Sequence, residues 1–151
     1  MVGDTDLCFA TLAPGQALAR GVCRWMCSMD FAAVTEFVPA RGLRMDVIAL
    51  GPRGEIWGVE CKSSRSDFTS DQKWHDYLPW CDRFFWAVPP AFPAEILPDG
   101  SGLFRADSFG AELVRDAPEA RLAPARRKAM VQAIARAAAL RLSRLQDPHS
   151  G

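Results

Sequence analysis

The sequence predicts an α/β domain built on a mixed sheet flanked by helices, with a long helix at its C-terminal end. Three observations carry that prediction. Short β-branched and aromatic runs recur between Ala33 and Arg115. Two longer segments, Pro14 to Ser28 and Ala123 to Leu145, space their apolar residues by three and four, the period of a half-buried helix. The resulting order, α-β-β-β-α-β and then two weaker strands and a helix, sets three meandering strands before a helix and a buried strand. Such an order closes as a mixed sheet with helices on its faces. The length of 151 residues suits one domain with a substantial core. That domain is expected over residues 14–146, with loosely structured termini at 1–13 and 147–151.

Pro14 opens the first helix, where Val22, Trp25, Met26 and Met29 make one apolar stripe. Ala33 to Val38 reads as a strand, and Pro39 to Gly42 is turn chemistry. Leu43 to Leu50 and Glu55 to Lys62 are the next two strands, joined by the strong turn signal Gly51-Pro-Arg-Gly54. Ser63 to Ser70 is polar and loop-like. Ser70-Asp71 can cap a helix to about Leu78, before Pro79. Arg83 to Val88 is a continuous apolar run, expected for a strand buried on both faces. Four prolines between Pro89 and Pro98 force a turning path. Gly102 to Ala106 and Ala111 to Arg115 are two short strands. The last helix has Val131, Ile134, Ala138, Leu142 and Leu145 as its apolar face.

Composition narrows the class without naming a partner. Hydrophobic content of 49% and charged content of 24% are ordinary for a globular chain, and the formal net charge is zero. The distribution is uneven: Arg121, Arg126, Arg127, Lys128, Arg136, Arg141 and Arg144 fall in a stretch without an acid, which permits a local basic surface. No apolar run reaches the roughly 18 residues of a membrane span, and the acidic start MVGDTDL is unlike a signal peptide. Five cysteines, an odd number, with no secretory signal point to reduced thiols and a cytoplasmic setting. No CxxC pair or histidine cluster completes a zinc site around Cys23 and Cys27, so buried free cysteines are expected.

The segment from Arg44 to Lys62 carries the chemistry. In a strand, residues i and i+2 share a face, so Glu60 and Lys62 point one way and Cys61 the other. A loop centred on Arg53 pairs Asp46 with Glu60, Ile48 with Gly58 and Leu50 with Ile56. Carboxylates on opposed positions, with Cβ atoms about 4.5–5.5 Å apart, repel unless a cation or a proton lies between them. A one-residue slip would put them on opposite faces. Oxygen donors without histidine or thiolate suit Mg²⁺ or Mn²⁺, and the Cys61 carbonyl offers a further oxygen. Lys62 beside such a site can orient attacking water or stabilise a phosphoryl transition state. The plainer alternative is an exposed sheet edge with an ordinary Glu–Lys pair, worth under ~1 kcal/mol.

Neighbouring residues admit two roles each. Glu36 is either a third carboxylate of the site or a half-buried acid paired with Arg41 or Arg44. Asp67 and Asp71 are turn formers and helix caps, or position water and metal. Ser63, Ser64, Arg65, Lys73, Trp74 and Tyr77 follow the site closely. Basic and aromatic side chains there suit a nucleic-acid backbone and stacked bases, while core packing is the other reading of Trp74. Trp57, Trp80, Phe84, Phe85 and Trp86 are expected in the core. Arg126, Arg127 and Lys128 near the start of the last helix are a solvated basic face or a phosphate-contacting flank.

Arg44-x-Asp46 followed by Glu60-x-Lys62, inside α-β-β-β-α-β, resembles the PD-(D/E)xK, or restriction-endonuclease-like, nuclease superfamily, with Met45 where proline is usual. The run VECKSSRSDFTSDQKWHDYLPWCDRFFWAVP (Val59 to Pro89), with FPAEILP, GLFRAD and ARRKAM, is similar to the MmcB family of bacterial DNA repair proteins, a likeness spanning Leu18 to Leu142. The resemblance implies a restriction-endonuclease-like αβββαβ core and a nuclease-like protein of the DNA damage response. It implies that Asp46 and Glu60 bind metal and that Lys62 is the catalytic lysine, with Glu36 the candidate auxiliary acid. Many superfamily members carry such an acid on the first helix, and Pro14 to Ser28 has none. The expectation is a Mg²⁺- or Mn²⁺-dependent hydrolase cutting DNA phosphodiesters. The alternatives are a non-catalytic DNA-binding or repair-complex module on the same fold, and a nuclease acting on RNA or another phosphodiester. Repair-protein partners and a homodimer are further expectations, because so small a domain has a small footprint on duplex DNA.

Overall fold

A computed structural model describes residues 11–70 and 73–149. The elements run α1 (Pro14–Ser28), β1 (Ala32–Phe37), β2 (Met45–Leu50), β3 (Ile56–Cys61), α2 (Arg65–Ser70), a 3-10 helix (Trp74–Trp80), β4 (Arg83–Val88), a single 3-10 turn (Ala94–Ile96), β5 (Gly102–Ala106), β6 (Ala111–Arg115) and α3 (Pro124–Gln146). Among the described residues six strands form one sheet in sequence order. β1, β2 and β3 are antiparallel neighbours, β3, β4 and β5 are parallel, and β6 returns antiparallel to β5. The mixed sheet flanked by helices is the one expected from the element order, and it is consistent with the restriction-endonuclease-like core that the resemblance implies.

Two hydrophobic layers hold it. On one face α1 sets Leu18, Ala19, Val22 and Met26 against Val47, Ala49, Val59, Cys61, Phe85 and Phe104. Gly21 lets α1 come this close, since a Cβ there would lie 1.9 Å from the Asp107 carbonyl oxygen. On the other face the 3-10 helix and the start of α3 supply Tyr77, Met130 and Ile134 against Ile48, Ile56, Phe84, Trp86 and Leu103. β4 feeds both layers, Phe84, Trp86 and Val88 to one and Phe85 and Ala87 to the other, as a fully apolar strand must. Each such large side chain contributes about 1.5–3 kcal/mol by burial.

Local departures from the sequence reading have physical causes. The segment expected to be a loop from Ser63 to Ser70 contains α2. Ser64 caps it, its Oγ accepting the Asp67 N–H at 3.2 Å, the geometry of an N-cap to its third residue. Asp67 in turn accepts the Ser63 N–H, so it takes the helix-end role open to it. The helix expected from Ser70 to Leu78 is instead the 3-10 segment Trp74–Trp80, which runs through Pro79. Asp71 lies outside the described residues, as do Cys8 and most of the termini expected to be loose. The apolar face assigned to α3 holds only in its first half. Met130 and Ile134 are buried, but Leu142 and Leu145 are 54% and 81% exposed, because the helix runs on past the sheet that covers its start. Cys61 and Cys81 are buried free thiols, Cys23 is half-buried, and Cys27 is exposed rather than buried. Burial pushes the Cys81 thiol up to about 12.

An ion pair that no sequence pattern announces joins three elements. Asp82, just before β4, is buried; it accepts the N–H groups of Ile56 and Leu122, each at 2.8 Å, and the Arg127 guanidinium in a bidentate pair at 2.6 and 2.7 Å. Arg127 also donates to the Gly54 carbonyl of the β2–β3 turn. Burial alone would raise the Asp82 carboxyl, but the hydrogen bonds from Arg127, Leu122 and Ile56 and the Arg127 charge outweigh it and hold the carboxyl below its ordinary value.

Asp82→Asn is therefore expected to cost about 3–5 kcal/mol, because it leaves a half-buried guanidinium without its counter-charge; urea unfolding at pH 7 reads the loss. A depressed folded pKa contributes stability above the ordinary carboxylate range and loses it as pH falls through the folded value. The gap between variant and native protein should therefore narrow on acidification.

Candidate active site

The turn between β2 and β3 sets the geometry of the charged groups. Gly51 donates to the Glu55 carbonyl at 2.8 Å, Gly54 donates back to the Gly51 carbonyl, and Gly54 takes φ +86°, which glycine allows at no steric cost. This odd loop pairs Leu50 with Ile56, Ala49 with Trp57, Ile48 with Gly58 and Val47 with Val59, the register expected for a turn centred on Arg53. The next position brings Asp46 and Glu60 together. There the two carboxylates bond to opposite backbones: Glu60 Oε1 accepts the Asp46 N–H at 3.0 Å, and Asp46 Oδ2 accepts the Cys61 N–H at 2.7 Å. These bonds bring the two carboxyl groups close enough to interact.

Glu60 lies where the sheet excludes water, and Asp46 is half-buried beside it. Glu60 is 4% exposed and Lys62 8%, so neither is the solvated edge residue of the plainer alternative. Glu60 has Trp86 as its neighbour on β4, and the Lys62 N–H donates to the Ala87 carbonyl, which carries the parallel pairing one residue past β3. Burial raises the Asp46 carboxyl above its ordinary value, partly offset by the Cys61 N–H, the charges of Lys62 and Arg44 and the hydrogen bond with Glu60. Burial, with the nearby acids Asp46 and Glu60, pushes the Cys61 thiol well up. That thiol stays protonated in the α1-side layer and offers a metal no thiolate.

Glu36 sits beside the pair in an unusual conformation. β1 and β2 pair Thr35 with Val47 and Phe37 with Met45, and the intervening position, Glu36 facing Asp46, drops out of the ladder. Glu36 takes φ +49°, a left-handed conformation that costs a non-glycine residue about 1–3 kcal/mol. Arg141, reaching across from α3, donates to the carbonyls of both Thr35 and Glu36 and so holds the distortion. Glu36 is exposed, and among the described residues it makes no ion pair, so the pairing with Arg41 or Arg44 does not occur. It lines the same cavity as Asp46. Among the described residues no three histidine, cysteine, aspartate or glutamate side chains form a metal-binding group, so Glu36 does not complete a triad with Asp46 and Glu60.

The residues expected to meet nucleic acid differ in exposure and partners. Ser63 is half-buried, Arg65 and Lys73 are exposed, and Trp74 is half-buried against Phe84 and Trp86. Tyr77 departs from the expectation of a base-stacking ring. It is 7% exposed, lies parallel to Phe84 in the core, and donates its hydroxyl to the Arg44 carbonyl. Arg127 is also corrected: the Asp82 carboxylate occupies its guanidinium, at the Ile56 end of β3 rather than the Cys61 end. Arg126 lies 3.9 Å over the Trp80 ring, a cation–π contact, while Lys128 is exposed.

Comparison with known proteins places the chain. A family model described as DNA repair protein MmcB-like matches residues 12–149. The chain belongs to the MmcB-like family. Among solved structures, this MmcB-like chain is similar to a protein of unknown function from Silicibacter pomeroyi, at 60% identity and a TM-score of 0.91, over 93% of this chain and 97% of that one. No curated protein matches it. Among the described residues no helix is long and apolar enough to cross a membrane.

The raised Asp46 carboxyl gives a test of the site's electrostatics. A folded pKa above the unfolded one stabilises the protein below the unfolded value and loses that contribution as pH rises through the folded value. In chelator, Asp46→Asn keeps an acceptor for the Cys61 N–H and gains a donor toward Glu60. Its melting temperature is expected to match the native protein near pH 4 and to exceed it by a few degrees at pH 8, measured by calorimetry.

Proposed function

We propose that this MmcB-like protein is a divalent-metal-dependent nuclease that hydrolyses DNA phosphodiesters during repair. The observation that supports the reading best is the buried contact between Asp46 and Glu60 with Lys62 alongside. Two carboxyl groups so close hold either a proton or a cation between them. The donor set fits a hard ion: oxygen atoms from Asp46, Glu60 and the Cys61 carbonyl, with neither imidazole nor thiolate among them. Such sites for Mg²⁺ use one or two carboxylates and leave the remaining positions to water and phosphate. Lewis acidity toward the scissile phosphate, and acidification of water for in-line attack, is the chemistry Mg²⁺ or Mn²⁺ supplies when bound there.

The chain's own residues then have distinct tasks. The Cys61 N–H fixes the Asp46 carboxylate, and the Asp46 N–H fixes Glu60, so neither acid swings away when substrate departs. The Lys62 ammonium, buried beside them, stabilises negative charge building on the phosphoryl oxygens, and low local dielectric strengthens that effect. Glu36, projecting from the distorted end of β1, orients water or substrate at the entrance rather than acting as a fixed ligand. Arg65, Lys73 and Lys128 are exposed cations that can track a phosphate backbone.

A second reading is a DNA-binding or repair-complex module without catalysis. It is favoured by one observation: among the described residues no third histidine, cysteine, aspartate or glutamate side chain joins the carboxylate pair.

Purified protein, labelled single-stranded, duplex and forked DNA, and Mg²⁺ or Mn²⁺ separate the two. Metal-dependent cleavage is expected, falling at least ~100-fold in Lys62→Ala and Asp46→Asn, the scale of removing one transition-state contact. Cleavage that persists unchanged in both variants would sink the catalytic assignment. Salt-sensitive binding with no cleavage would favour the module. Calorimetry in parallel should show Mn²⁺ raising the melting temperature of the native protein but not of Asp46→Asn.

A further inference from the structure

A cavity of about 310 Å³ lies between the start of α1 and the distorted end of β1, with Gly15, Gln16 and Arg20 on one wall, Thr35 and Glu36 on the other, and Asp46 reached between them. Arg20 is the informative residue. It shares the cavity with two acids, yet among the described residues it forms no ion pair or hydrogen bond. A guanidinium carries five donors in a rigid fork suited to phosphate, and no described residue engages those of Arg20. The opposite wall is held in a costly left-handed turn at Glu36, clamped by Arg141, and strain of this kind persists where surrounding structure enforces it.

Size decides what can enter. The volume is at the low end of the roughly 300–1,000 Å³ of small-ligand pockets. A sphere of that volume is about 8 Å across, room for one nucleotide rather than for a base pair with both of its backbones. The groups behind Asp46 are buried, so a backbone phosphate must be carried inward to meet them. An unpaired strand can flex to make that approach, which pairing and stacking in a duplex resist. We infer that the cavity receives one nucleotide of a single DNA strand, with Arg20 gripping a backbone phosphate opposite Asp46. The binding claim stands on the cavity, and only its consequence for cleavage rests on the nuclease reading.

The test uses the full chain and a 12-nucleotide DNA strand or its matched duplex, followed by fluorescence anisotropy in chelator. Single-strand affinity should exceed duplex affinity about tenfold. Arg20→Ala should weaken the single-strand complex about tenfold and reduce its salt dependence by about 0.7 in log–log slope, the share of one phosphate contact on a single strand. Arg20→Lys should recover part of the affinity. Gly15→Leu gives an independent probe: a Cβ at Gly15 meets nothing within 4 Å, so the longer side chain fills the cavity without changing charge and should also block the strand. Duplex bound as tightly as single strand, or single-strand affinity unmoved in both Arg20→Ala and Gly15→Leu, would overturn the inference. Cleavage assays with Mn²⁺ separate the two claims. Strand binding that depends on Arg20 with no cleavage of any DNA defeats the nuclease reading and leaves the slot standing. Cleavage lost in Asp46→Asn but indifferent to Arg20→Ala and Gly15→Leu defeats the slot and leaves the nuclease.

Discussion

The register between β2 and β3 is the constraint on which the charged site depends. The five-residue turn from Gly51 to Glu55 sets it, and four paired positions carry it to Val47 and Val59. Strand side chains alternate, so a slip of one residue would turn one carboxylate toward α1 and leave the other facing away. The correct register instead stacks two acids where the ladder ends, and each acid takes over a backbone N–H that a continuing ladder would have used. Sheet order and site chemistry therefore share the same few atoms. Two negative charges buried this way work against folding unless something positive or a proton joins them, which is a common condition of functional sites.

A second acid is buried for the opposite purpose. Asp82 has every demand met: two backbone donors, a bidentate guanidinium and a depressed pKa. Asp46 is left raised, with only partial compensation. One chain thus contains a carboxylate ion-paired to fasten β3, β4 and α3, and another, hydrogen-bonded but without a bidentate counter-charge, suited to binding. The contrast lies in their partners and their access: Asp82 is buried, while Asp46 is half-buried and lines the cavity.

Legibility in the sequence followed the range of the causes. The hairpin register was legible because turn residues and two-residue alternation are local. β4 was legible because six apolar residues in a row have few other uses. The bidentate partner of Asp82 was not, since Arg127 is 45 residues away and looks like any cation of a basic helix. The available signal was an acid at the entry of a wholly buried strand, which must find a partner. The left-handed turn at Glu36 had no sequence signature, because only glycine or asparagine advertises that conformation. Along α3 the apolar spacing continued past Ile134, but periodicity cannot reveal where the sheet beneath a helix ends. Tyr77 departs from expectation for a related reason: an aromatic near a charged site reads equally as platform or core, and here it packs in the core.

Arg127 and Arg141 give α3 a role beyond covering the sheet. One grips the turn at Gly54 and the other the distorted strand at Glu36, so the helix is pinned at both ends of the β1–β3 meander. Fourteen helical residues span about 21 Å, and each residue added or removed shifts the far end by about 1.5 Å and rotates it by about 100°. The helix is thus a measuring rod cut to one length. The exposed tail beyond Arg141 carries no such constraint, whereas the count of residues between the two arginines is set by the distance from the hairpin's turn to the mouth of the site.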